Sequence, residues 1–185
     1  MKNYRLRIIN NLIAAGLLLT ASPLRVSAST WDWSGASSSG GNYLWSTGAN
    51  WSPEGVPASS SATTVNFGAV TNKTVTINSN VGTVGTMNFN STGYTLNISN
   101  SGALIAEQMN LNTSGATLTI TNNHFLNNGS LDIQEINANA SGNTINISGN
   151  ANNNTAIDGT GIQGSYSSSL TINLGTYNTS NAHTY

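Results

Sequence analysis

Apolar and polar residues alternate strictly in five short stretches: TVTIN from Thr74, TLNIS from Thr95, TLTIT from Thr117, TINIS from Thr144 and SLTIN from Ser169. Such alternation predicts strands with one face buried. The copies start 21, 22, 27 and 25 residues apart. A second alternating element lies between them: Met87-Asn88-Phe89, Met109-Asn110-Leu111 and Leu131-Asp132-Ile133, each 22 residues from the last. NSTG before Tyr94, NTSG before Ala116 and NANASGN before Thr144 supply turn residues that tolerate positive φ or bond their own backbone. No stretch after residue 28 has a convincing helical period.

Strands and turns repeating in fixed order near 22 residues predict an all-β parallel β-helix, a solenoid of about five coils. One coil cannot bury its apolar strip alone, whereas stacked coils share a continuous core. The expected inward ladder is Val75, Leu96, Leu118, Ile145 and Leu170, with Ile77, Ile98, Ile120, Ile147 and Ile172 as a second column. Thr76, Asn97, Thr119, Asn146 and Thr171 are expected to face outward. Five coils at ~4.8 Å per strand would make a rod of roughly 24 Å. The longer steps predict loops near Asn137–Asn143 and Asn150–Gly164. A β-sandwich of short antiparallel strands would also alternate, but it predicts no fixed register. The pattern leaves handedness and cross-section open.

The N-terminus changes the charge picture. Lys2, Arg5 and Arg7 precede the apolar run Leu12 to Ala21, which is too short to span a bilayer. Pro23 ends that run, and Val26-Ser27-Ala28 offers small residues for cleavage after Ala28, so residues 1–28 read as a signal peptide. The chain is expected to be exported. Beyond residue 28 one Lys (Lys73) stands against six carboxylates, a net charge of −5. Nucleic-acid binding needs clustered Lys and Arg, so no nucleic-acid partner is expected; nor is attraction to an anionic membrane. With no cysteine, burial and hydrogen bonds hold the fold.

All four tryptophans (Trp31, Trp33, Trp45 and Trp51) lie in residues 29–70, ahead of the repeats of residues 71–185. A solenoid end exposes strand edges and an open core, so this segment is expected to be an N-terminal cap. The functional alternative is that Trp45 or Trp51 stacks on sugar rings. Trp31-Asp32, a Gly-rich spacer, LWSTGANWS (Leu44 to Ser52), Pro57, the strand TTVNF and then VGTMNFNSTGYTLNI (Val81 to Ile98) together resemble the autotransporter-associated β-strand repeat proteins and related passenger-like proteins. The resemblance covers roughly residues 30 to 120. It implies a parallel β-helix displayed at, or released from, a Gram-negative cell surface. An autotransporter would continue into an outer-membrane barrel of alternating strands, and nothing after Thr144 resembles one; a Pro-Glu-Pro sorting signal is also lacking. A C-terminally truncated passenger is therefore expected.

Candidate chemistry is sparse. β-Helix lyases and hydrolases need carboxylates as acid, base or Ca²⁺ ligands, often beside a cation. One reading brings Glu107, Asp132 and Glu135 together on adjacent coils; scattered solvated carboxylates explain them equally well. His124 and His183 stand alone, without metal-ligand spacing. DGTGIQG (Asp158 to Gly164) partly matches a Ca²⁺-binding nonapeptide, occurs once, and reads better as a loop. Ten Asn-x-Ser/Thr triplets, including those at Asn50, Asn97 and Asn146, follow from composition alone. No cofactor is expected. The functional expectation is a non-enzymatic, adhesin-like surface solenoid contacting a surface glycan or a receptor on a host or neighbouring cell. The alternative is a carbohydrate-binding or carbohydrate-degrading β-helix.

Overall fold

The computed structural model describes residues 28–99, 102–122, 130–149, 154–157, 162–164 and 170–174. The expected signal peptide falls outside them, apart from Ala28. The strands in chain order are β1 (Ser29–Trp33), β2 (Trp51–Ser52), β3 (Ser60–Phe67), β4 (Thr74–Ile77), β5 (Asn80–Phe89), β6 (Tyr94–Ile98), β7 (Ala103–Leu111), β8 (Thr117–Asn122), β9 (Ser130–Ile133), β10 (Ile136–Ala138), β11 (Asn143–Gly149), β12 (Asn154–Ile157), β13 (Ile162–Gly164) and β14 (Leu170–Leu174). One 3-10 turn, Gly48–Asn50, is the sole helical element among the described residues.

These strands stack as the parallel coils of a β-solenoid of about three turns, residues 60–77, 80–98 and 103–122. One sheet runs β1-β3-β5-β7 and continues into β9 with β12 and into β10 with β13; the other runs β4-β6-β8-β11-β14. Every pairing is parallel except the short β1–β2 contact. The first sheet bends. β7 is continuous, but β9 pairs with its Leu104–Ala106 half and β10 with its Met109–Leu111 half. Each turn therefore presents three strips. The corner leading into the second sheet is made at Gly93, Gly115 and Gly142, whose φ values of 81°, 66° and 76° suit glycine best.

Alternation buries the expected residues: Val75, Leu96, Leu118, Ile145 and the isoleucines at 77, 98, 120 and 147 are all inside. Their stacking differs from the expectation. Val75 lies on Leu96 and Ile77 on Ile98, as the repeats suggest. Between β6 and β8 the register slips by two, pairing Tyr94 with Leu118, Leu96 with Ile120 and Ile98 with Asn122. A second slip follows between β11 and β14, pairing Ile145 with Ile172 and Ile147 with Leu174. The single isoleucine column is thus corrected to staggered ones. Slips of two keep every side chain on its own face, so burial survives them. The first arises because seven positions separate Leu111 from Leu118, against five from Phe89 to Tyr94.

Three further expectations are corrected. Thr76, on the face opposite Val75 and Ile77, is buried and not exposed as expected, where the bridge from Leu44 continues the sheet beyond β4. Leu131-Asp132-Ile133 stacks on Leu104-Ile105-Ala106; the segment registered on Met109-Asn110-Leu111 is Ile136-Asn137-Ala138, 27 residues on. The loops near Asn137–Asn143 and Asn150–Gly164 give way in part to strands β10, β12 and β13. The extra length precedes β9: seven residues separate Asn122 from Ser130, against four between Ile98 and Ala103.

Buried Asn143 holds the last two glycine corners. Its Oδ1 accepts from the Ala116 N–H (3.0 Å), and its Nδ2 donates to the Ala140 and Leu111 carbonyls (2.8 and 3.3 Å). The Ala116 N–H and the Leu111 carbonyl also bond the Thr113 carbonyl and the Asn139 N–H, so an apolar residue at 143 would take from the corner chiefly its tie to the Ala140 carbonyl.

Candidate functional site

The tryptophans lie where the alternation of β1 and β3 puts them. Trp31 registers on Val65, and Trp33, next along the strand, closes over Phe67 with ring centroids 6.4 Å apart. After β1 the chain loops out and returns at Asn50, a fully buried side chain that fastens the loop. Asn50 Oδ1 accepts from the Ser37 N–H (2.7 Å) and its Nδ2 donates to the Leu44 carbonyl (3.0 Å), while the Ser34 N–H donates to the Asn50 carbonyl (2.8 Å). Tyr43 and Trp45 are tied to β4: the Thr76 N–H donates to the Tyr43 carbonyl and the Trp45 N–H to the Thr76 carbonyl, both at 2.8 Å.

That tethering turns the indoles inward. Trp51 meets Trp33 at 5.0 Å and Trp45 at 4.6 Å, both edge to face, and donates its Nε1–H to the Trp45 carbonyl (2.8 Å). Beneath them Phe67 stacks on Phe89 (4.7 Å, 13°), and Tyr94 abuts both. Trp45 is 1% exposed and Trp51 3%. A sugar needs an open ring face, and neither indole offers one, so the stacking role considered for Trp45 and Trp51 does not fit their placement. Trp31, half-buried against Gly55, has the most open indole of the four.

Tyr94 is a titratable group that this packing perturbs. Its hydroxyl donates to the Gly68 carbonyl (2.6 Å), and burial pushes its pKa up from 10.0 to about 12. The folded chain thus favours neutral tyrosine. Its contribution to stability is fully present below pH 10, where the unfolded side chain is also neutral, and is lost as the pH rises towards 12. The loss should reach about 2–3 kcal/mol. Tyr94→Phe should flatten this segment of the stability–pH curve, measured by urea unfolding from pH 9 to 12.

The carboxylates do not gather. Asp132 sits beside Ile105, and Glu135 Oε2 accepts from Gln108 Nε2 at 3.1 Å. Among the described residues no three of His, Asp and Glu approach closely enough to share a metal ion. Glu107, Asp132 and Glu135 are therefore not brought together as a three-carboxylate site. His124, His183 and the first four residues of DGTGIQG lie outside the described residues; its last three form β13.

Two columns of asparagine amides, which the repeat reading passed over, organise the strip formed by the second halves of β5 and β7 with β10. In the first, Asn137 Nδ2 donates to Asn110 Oδ1 (3.0 Å), Asn110 to Asn88 (2.8 Å), Asn88 to Asn66 (2.9 Å), and Asn66 to Asp32 Oδ1 (2.8 Å). In the second, Asn139 donates to Asn112 and Asn112 to Asn90, both at 2.8 Å. A related bond, Asn173 to Asn146 (2.8 Å), occurs on the β11–β14 face. The signal for the twin columns is the tripeptide Asn-x-Asn: NFN at 88–90, NLN at 110–112 and NAN at 137–139. The last copy is hidden by its 27-residue step.

Among the described residues no helix is long and apolar enough to cross a membrane. Comparison with protein-family models, curated proteins and solved structures finds no match.

Proposed function

We propose that this chain is an exported, non-enzymatic β-solenoid whose role is display: an adhesin-like passenger or stalk at a bacterial surface. In this reading five stacked coils form the rod, and the tryptophan-rich segment of residues 29–70 closes its N-terminal end. The observation that carries the reading is the build of the coil stack. Side chains are spent on an apolar core and on hydrogen-bonded amide columns outside it, an investment in regular, polar, rigid surface. The basic and apolar N-terminus, with small residues at 26–28, supports export. A net charge of −5 beyond residue 28 argues for a partner other than nucleic acid or anionic lipid.

The test is secretion of the full chain, carrying a C-terminal epitope, from a Gram-negative host. The expected result is an exported product whose N-terminal sequence begins at Ser29 and whose epitope is cleaved by protease added to whole cells. Retention of the uncleaved chain in the cytoplasm would overturn the reading.

A further inference from the structure

We propose that the strip bearing the twin asparagine columns binds a neutral, extended polysaccharide laid along the stacking axis. The proposal deepens the adhesin-like reading by naming the partner's chemistry.

The argument starts from the hydrogen-bond inventory. An asparagine amide carries two N–H donors and an oxygen with two lone pairs. Within a column each amide spends one donor and one lone pair on its neighbours. Asn88, Asn110 and Asn112 therefore each keep one N–H and one lone pair, a donor–acceptor pair of the kind that binds sugar hydroxyls. The outer column stands two residues beyond the inner one, just past the ends of β5, β7 and β10, about 7 Å across the strip, and both repeat every ~4.8 Å along the axis. That step is comparable with the advance of one pyranose in an extended β-linked chain, so a chain laid along the axis passes about one amide pair per sugar, with successive sugars offering alternate edges.

Two further features select the partner. The amides are already fixed by their neighbours, so binding avoids the ordering cost of free side chains, ~0.5–1.5 kcal/mol each. The outer column, Asn90, Asn112 and Asn139, is exposed, and the inner one is half-buried. No Lys, Arg, Asp or Glu occurs in the strip at residues 86–90, 108–112 or 136–139. The lone cation beyond residue 28, Lys73, is occupied by Ser91 Oγ and the Thr92 carbonyl, both at 2.8 Å. Carboxylates stand at the rim instead: Asp32 at one end and Glu135 beside Gln108. A polyanion would find one cation, Lys73, at a corner of the strip and carboxylates at its rim, whereas an uncharged polyol finds a regular row of amides.

The experiment is a sedimentation assay of the purified protein with microcrystalline cellulose, chitin and insoluble xylan, with polygalacturonate gel as the charged control. Binding to at least one neutral polymer is expected, with little to polygalacturonate. The double variant Asn112→Ala/Asn139→Ala should weaken binding about tenfold or more, the loss of one or two net hydrogen bonds. Its melting temperature is measured alongside, and Thr119→Ala on the other sheet should leave binding unchanged. Absence of binding to all three neutral polymers overturns the proposal, as does equal binding by a folded double variant or preference for polygalacturonate. Column-dependent inhibition of ice recrystallisation, or self-association, without polymer binding also overturns it, in favour of ordered water or a second copy. Because the assay uses purified protein, failure of export would leave this result standing, and the reverse.

Discussion

Gly85→Ala is expected to destabilise the chain by about 3 kcal/mol or more, lowering the melting midpoint by roughly 6–12 °C. The reason is an irregularity in pairing. Ser60 registers on Val84 and Thr64 on Thr86, so β3 spends three residues where β5 spends one. The extra chain crowds down on Gly85, and a Cβ there would collide with the Ser61 carbonyl. Relaxation is blocked from above, because buried Thr63 is anchored through its Oγ1 to the Ala58 carbonyl at 2.7 Å. One methyl group must therefore displace backbone. Gly68→Ala is the matched control: a Cβ at that site meets nothing within 4 Å, and the change should stay within about 0.5 kcal/mol. Thermal melts of the two variants decide the matter, and equal midpoints would refute the bulge argument.

Trp51→Ala should cost about 3–5 kcal/mol, the usual range for emptying a buried aromatic site, and the damage should be local. The indole joins Trp33 to Trp45 and donates to the Trp45 carbonyl. Its removal opens the N-terminal aromatic cluster, in which Trp45 Nε1 already lacks a partner among the described residues. Coils in a solenoid touch only their neighbours, so loss at one end need not spread. Hydrogen exchange should show the amides of Ser34, Trp45, Asn50 and Thr76 losing protection while those of β6 to β8 keep theirs. Uniform loss along the chain would mean the stack melts as one unit. Any weakening of polysaccharide binding in this variant should be small and confined to the Asp32 end of the inner column, since Asn88, Asn110, Asn112 and Asn139 lie on later coils.

The fold was legible in the chain wherever period-two alternation reports burial. Val75, Leu96, Leu118 and Ile145 are inside as their pattern predicts. Register was less legible, for a physical reason. Alternation specifies a face but is blind to a slip of two, and the copies Thr-Leu-Asn-Ile of β6 and Thr-Leu-Thr-Ile of β8 look equally good in either alignment. The two additional positions between Leu111 and Leu118 decide it, and they resemble any other turn. The amide columns were obscured similarly. Leu131-Asp132-Ile133 matches the apolar-polar-apolar template at the nominal spacing, while Ile136-Asn137-Ala138 matches both the template and the side-chain chemistry. Requiring a donor and acceptor partner for each polar side chain would have chosen correctly. The tryptophans failed as site candidates because composition cannot tell a buried ring from an exposed one; the loop fastened by Asn50 makes that choice.

The inner amide column has a beginning as well as a period. Its first member, Asp32, is a carboxylate, which when ionised can only accept hydrogen bonds. Asn66 is thereby obliged to present its NH₂ group to Asp32 and its oxygen to Asn88, and the same choice passes to Asn110 and Asn137. An amide alone in water flips between two nearly equal orientations; here one acidic side chain settles the orientation of the next four. Flipping any interior amide would set oxygen against oxygen on one side and NH₂ against NH₂ on the other. The surface therefore carries a sense of direction from the first coil onward, and anything that reads it along the axis meets the same hand of donor and acceptor at every step.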